Sequence, residues 1–71
     1  MTPAIYQVKL RGYLDDDFAA AYCPPEAQIS TENGITTLGN LQTDQSGIIG
    51  LLRHLHGLGC TIIELTTEKE L

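Results

Sequence analysis

Between Asp44 and Gly59, the apolar residues Ile48, Leu51, Leu52, Leu55 and Leu58 recur every three or four positions, the repeat that gathers side chains into one stripe roughly 100° wide on an α-helix. Asp44 offers a short acceptor for the free N–H groups at the helix start, and Gly59 supplies the left-handed residue that closes its end. The spacing predicts a helix over roughly residues 44–58. A helix that is apolar on one side needs a facing surface, and the rest of the chain has to provide it. Gly47, Gly50 and Gly57, with His54, form a second, thin stripe on the flank. An interior glycine costs a helix about 1 kcal/mol relative to alanine, so this stripe reads either as local close packing or as a contact surface.

The remaining segments carry strand signals. Tyr6, Val8, Leu10 and Leu14 alternate with Gln7, Lys9, Arg11 and Tyr13 across residues 4–14, the two-residue period of a half-buried strand. Gly12 falls on its inward side and marks a bulge or a close approach. Asn33-Gly34 is the dipeptide best suited to the positive φ angles of a two-residue hairpin turn, and it puts Ile29 opposite Leu38. In Thr61 to Thr67, Ile63 and Leu65 are expected toward the core, with Ile62 and Glu64 away from it. Asp15, Asp16 and Asp17 ahead of Phe18-Ala-Ala-Ala-Tyr22 suit the positive end of a short helix that Pro24 and Pro25 stop. The sum is an α+β domain spanning residues 1–71, with residues 68–71 as a frayed tail. It is expected to be a small antiparallel four-stranded sheet with one long and one short helix on one face, a ferredoxin-like split βαβ or a close variant.

Seventy-one residues support one core. A domain this short buries only about 60% of the surface its unfolded chain exposes, so association with a partner chain is a natural source of further stability. Nine acidic residues against four basic ones give a net charge of -5, which repels phosphate backbones and anionic lipid, so no nucleic acid and no membrane partner is expected. No stretch approaches the roughly 20 apolar residues of a membrane span. The first ten residues alternate and include Pro3, unlike an export signal, so the expected location is cytoplasmic. There the two cysteines, Cys23 and Cys60, stay thiols.

Few residues carry chemistry. His54 and His56, two apart on a helix, point roughly 200° from each other and cannot grip one metal together. The aspartate run lacks the alternate spacing and glycine of a Ca²⁺ loop. At the start of the long helix Asp44 disfavours an anion. No metal site and no cofactor is expected, and the possible ligand contacts are Tyr22, Cys23, His54 and His56. On the sheet face away from the helices, Ile5, Tyr13, Ile35 and Ile62 are expected as an apolar patch among Gln7, Lys9, Arg11 and Glu64, suited to a second copy or another protein. The expected function is a non-catalytic, homo-oligomeric module for protein or ligand interaction. The alternative is a small enzyme or ligand-converting protein whose pocket forms between subunits.

Gly12-Tyr13-Leu14-Asp15, Asn33-Gly34, and Asp44-Gln45 through Gly50-Leu51-Leu52 to Leu58-Gly59 together resemble a family of short, uncharacterised bacterial proteins. Its members share a strand ending in G-x-L-D, a tight hairpin, and a helix reading D-Q-x-x-[LI]-x-G-L-L-x-x-[LIV]-x-x-L-G. The resemblance implies a cytoplasmic α+β domain and brings no activity with it.

Overall fold

The computed structural model describes residues 3–71; Met1 and Thr2, counted within the single domain above, lie outside the described residues. The chain order is β1 (Ala4–Arg11), α1 (Asp16–Tyr22), β2 (Gln28–Glu32), β3 (Ile35–Thr43), α2 (Gln45–Gly57) and β4 (Thr61–Glu70). The strands form one sheet in the order β2-β3-β1-β4, and every neighbouring pair is antiparallel. Phe18 of α1 and Ile48, Leu51 and Leu55 of α2 meet Val8, Leu10, Leu38 and Leu41 in one cluster, so both helices cover the same face.

Local chemistry explains α2. The Asp44 carboxylate accepts from the Gly47 N–H at 2.8 Å and from the Ser46 hydroxyl at 3.0 Å. At the other end Gly59 takes φ +84°. Its N–H reaches the His56 carbonyl at 2.9 Å and that of Cys60 reaches Leu55 at 3.1 Å, which satisfies two of the carbonyls a helix end leaves free. Ile48, Leu51 and Leu55 are buried, each side chain contributing about 1.5–3 kcal/mol relative to exposure. Leu58, the last member of the expected stripe, is 59% exposed because it occupies the cap, where the chain leaves the helical path. The glycines divide. A side chain at Gly47 would collide with the Thr43 hydroxyl, whereas one at Gly50 or Gly57 would enter open space, so close packing accounts only for Gly47.

The hairpin follows its turn. Asn33 and Gly34 take φ 54° and 77°, and Glu32 pairs with Ile35, Ile29 with Leu38 and Gln28 with Gly39. β1 stops at Arg11, short of Leu14, because Gly12 takes φ +113° and turns the chain. Gly12 donates its N–H to the Gly34 carbonyl at 2.7 Å and accepts from the Thr36 hydroxyl at 2.6 Å. The close approach expected at Gly12 is therefore the hairpin tip. Thr36 is fully buried, and since its one proton is committed to Gly12, the Thr31 hydroxyl 3.0 Å away is the donor between the two threonines.

A bulge sets the faces of β3. Gly39 and Asn40 together oppose Gln7, with Asn40 at φ 53°. The extra residue lets Leu38 and Leu41, three apart, both point inward.

β4 departs from the expected alternation. Leu10 pairs with Ile62 and Lys9 with Glu64, so Ile63 is an extra, bulged residue. Ile62, expected on the outer face, instead packs against the core, and Ile63, expected inward, is 46% exposed. Leu65 stands opposite Val8 on the helix side, yet it is 44% exposed because β4 is the sheet edge. Ile29 is similarly exposed on the opposite edge strand, β2. Residues 68–70, expected as a loose tail, are strand: Lys69 pairs with Ile5 and Glu70 with Ala4.

Candidate functional site

Each residue with chemical potential is positioned by one of the two helices or by the ends of β1. Asp15 caps α1 by accepting from the Phe18 N–H at 2.8 Å, and Phe18 is the residue by which this seven-residue helix anchors in the core. One turn later, Tyr22 lies 4.8 Å from the Phe18 ring and stacks on the His54 imidazole, with ring centres 4.1 Å apart and planes 29° from parallel. Two of the four expected ligand contacts, Tyr22 and His54, are thus brought together, as a bridge between α1 and α2. Both are exposed, and the faces that meet are π surfaces rather than a donor aimed at an acceptor.

The other two stay apart. His56 is exposed on a different flank of α2 from His54. Cys23 ends α1, its N–H bonded to the Ala19 carbonyl at 3.0 Å. Partial burial pushes its thiol pKa up, which holds it as the neutral thiol. The sulfur borders a small cleft between α1 and β2, lined also by Ala19, Ala20, Pro24, Pro25 and Ile29. A second cleft under the opposite end of α1 is lined by Tyr13, Leu14, Asp15, Phe18, Leu58 and Cys60. The acid, the thiol and the phenol that border it do not include a base with an orienting partner. Among the described residues, no group of three or more His, Cys, Asp or Glu side chains is placed to hold a metal ion.

The four expected interface residues do not form one patch. Ile5 is opposite Gln42 and Ile35 is opposite Arg11, so the two isoleucines of the outer face sit at opposite ends of β1, about 20 Å apart at the strand rise. Tyr13 lies beyond the end of the strand, 75% exposed, and Ile62 is on the helix side. Between them the outer face is polar. Lys9 is flanked by Thr37 and Glu64, and an open depression is bordered by Gln7, Gln28, Asn40 and Lys69.

The apolar surface that the sequence reading missed lies at the β4 edge. Ile63 and Leu65 are exposed there. The flank of α2 opposite His54 carries Ile49, also exposed. Since His54 faces α1 and α2 lies against β3 and β4, that flank is turned to the β4 side. The adjacent isoleucines at 62 and 63 were the available signal: in a strand of strict alternation one of them is misplaced, and a bulge resolves the conflict.

A family model described as a domain of unknown function (DUF8691) matches residues 5–66. No curated protein and no solved structure gives a match. No helix among the described residues is long and apolar enough to cross a membrane.

Proposed function

Starting from a chain that belongs to the family described as a domain of unknown function (DUF8691), we propose that it works as a non-catalytic interaction module that assembles with copies of itself. The observation that carries this reading is the balance of apolar surface. Among the described residues, ten apolar side chains are buried, while eight large ones, Ile49, Ile63 and Leu65 among them, stay substantially exposed. A core of that size leaves a domain near the margin of stability, and covering exposed apolar groups adds roughly 25 cal/mol per Å². The scattering of Tyr13, Cys23, His54 and His56 favours this reading over a pocket that converts a ligand between subunits.

The strand order β2-β3-β1-β4, with β1 and β3 central and each helix crossing between alternate strands, supports a ferredoxin-like split βαβ as the finer description of the fold. The free thiols Cys23 and Cys60 fit the reducing cytoplasm of a bacterial cell. The negative charge favours protein over nucleic acid or anionic membrane as partner. Sedimentation velocity at micromolar concentration tests the proposal: a species of at least twice the 7.7 kDa chain mass is expected, and a stable monomer up to 100 µM overturns it.

A further inference from the structure

We infer that the surface of self-association is the free edge of β4, which pairs antiparallel with β4 of a second copy about a two-fold axis through Leu65, making one continuous eight-stranded sheet. This deepens the homo-oligomer reading and rests on it. Among the described residues, both outer strands of the sheet leave one row of backbone groups unpaired, but the two edges differ. β2 is five residues long and exposes Ile29 as its one large apolar group, whereas β4 is ten residues long and exposes both Ile63 and Leu65. Ile49, on the flank of α2 turned to the same edge, is also exposed.

The charges of β4 select the register. Along this strand the extra residues relative to β1 are Ile63 and Glu68, which leaves Glu64 to Thr67 as the regular run. A closed pair made through one edge is self-complementary, so residues opposite each other across the axis must lie on the same face. That requirement puts the axis through a residue rather than between two. Placed at Glu64, it sets Glu64 against its own copy; at Thr66, Glu64 against Glu68; at Thr67, it breaks the same-face requirement by putting Glu64 of the outer face opposite Glu70 of the helix face. Like charges directly opposite are destabilising. Placed at Ile63, it leaves only residues 61–65 of the strand paired. With the axis at Leu65 the pairing runs over residues 61–69 and no two glutamates meet. Glu64 faces Thr66, Ile63 faces Thr67, Thr61 faces Lys69, and Leu65 meets its own copy on the helix side, where the two Ile49-bearing flanks also converge.

The test uses the full chain. Wild type is expected to be dimeric in sedimentation, and more so at high salt, because each copy carries a net charge of -5. Leu65→Lys, which sets two ammonium groups against each other, is expected to weaken association at least tenfold while the circular dichroism is unchanged. Ile29→Lys on the other edge is expected to leave the dimer intact. Independently, in a chain whose own cysteines are replaced by alanine, Leu65→Cys is expected to give a covalent dimer under a mild oxidant, because directly opposed Cβ atoms lie about 5 Å apart. Thr67→Cys is expected not to, its copy being roughly 13 Å along the strand. A dimer that survives Leu65→Lys, or one in which Leu65→Cys does not cross-link, overturns the β4 assignment and leaves self-association standing. If Leu65→Lys does not fold, the cross-link decides. A monomeric wild type overturns both.

Discussion

Replacing Thr36 by valine tests whether the buried hydroxyl at the hairpin tip holds β1 and β3 in place. Thr36 is fully buried, and its hydroxyl donates to the Gly12 carbonyl at 2.6 Å while receiving the Thr31 proton at 3.0 Å. Valine fills nearly the same volume but offers neither bond. The part-buried bond to the carbonyl of the exposed Gly12 is then lost, at about 0.5–1.5 kcal/mol, whereas Thr31 is exposed and turns to water with little loss. The added methyl returns up to about 0.8 kcal/mol, so the net cost is at most about 1.5 kcal/mol. For a domain of this size each kcal/mol moves the midpoint by about 4–8 °C, and thermal unfolding followed by circular dichroism is expected to show Thr36→Val melting below wild type by up to about 12 °C. Thr31→Val alone is expected to shift it by under about 4 °C, because only an exposed hydroxyl is lost. If Thr36→Val melts no lower than wild type, the bond from Thr36 to Gly12 does not stabilise the fold and the hairpin tip is held by other contacts.

Leu55→Ala removes a fully buried side chain of α2 and is expected to cost about 2–5 kcal/mol, enough to unfold much of the population in urea titrations at 25 °C. Gly50→Ala adds a methyl in open space on the same helix and is expected to stabilise by up to about 1 kcal/mol in the same titration. Gly47→Ala, which drives a methyl into the Thr43 hydroxyl, is expected to give no such gain. The Asp44 carboxyl is held below its ordinary pKa by the Gly47 N–H, then by the Ser46 hydroxyl. Its contribution is therefore present above the unfolded carboxylate range and lost as pH falls through the lower folded value. Asp44→Asn is expected to reduce the acid-side loss of stability when melting points are compared between pH 7 and pH 2.5.

The parts of the fold written locally were legible. Asp44, the Ile48-Leu51-Leu55 spacing and Gly59 specify α2 within one stretch of chain, and Asn33-Gly34 specifies the hairpin and its register. What escaped depends on relations between distant segments. The bulge at Ile63 exists only against β1, so no window on β4 shows that Ile62 packs against the core while Ile63 stays exposed. The contact of Tyr22 with His54 joins residues 32 apart, and it arises because Phe18 seats α1 beside α2. Ile5 and Ile35 do share a face, as alternation indicates, but their separation along β1 was not readable until the pairing was known.

The strand that leads the chain lies inside the sheet, bonded on one side to residues 35–43 and on the other to residues 61–70. During synthesis β1 and the hairpin therefore leave the ribosome with one flank of β1 still bare. The sheet closes only when β4 has emerged, its first residue fifty positions after the last of β1, and joining such remote partners is entropically slow. In that interval the bare flank of β1 is the surface a chaperone or a neighbouring nascent chain would meet.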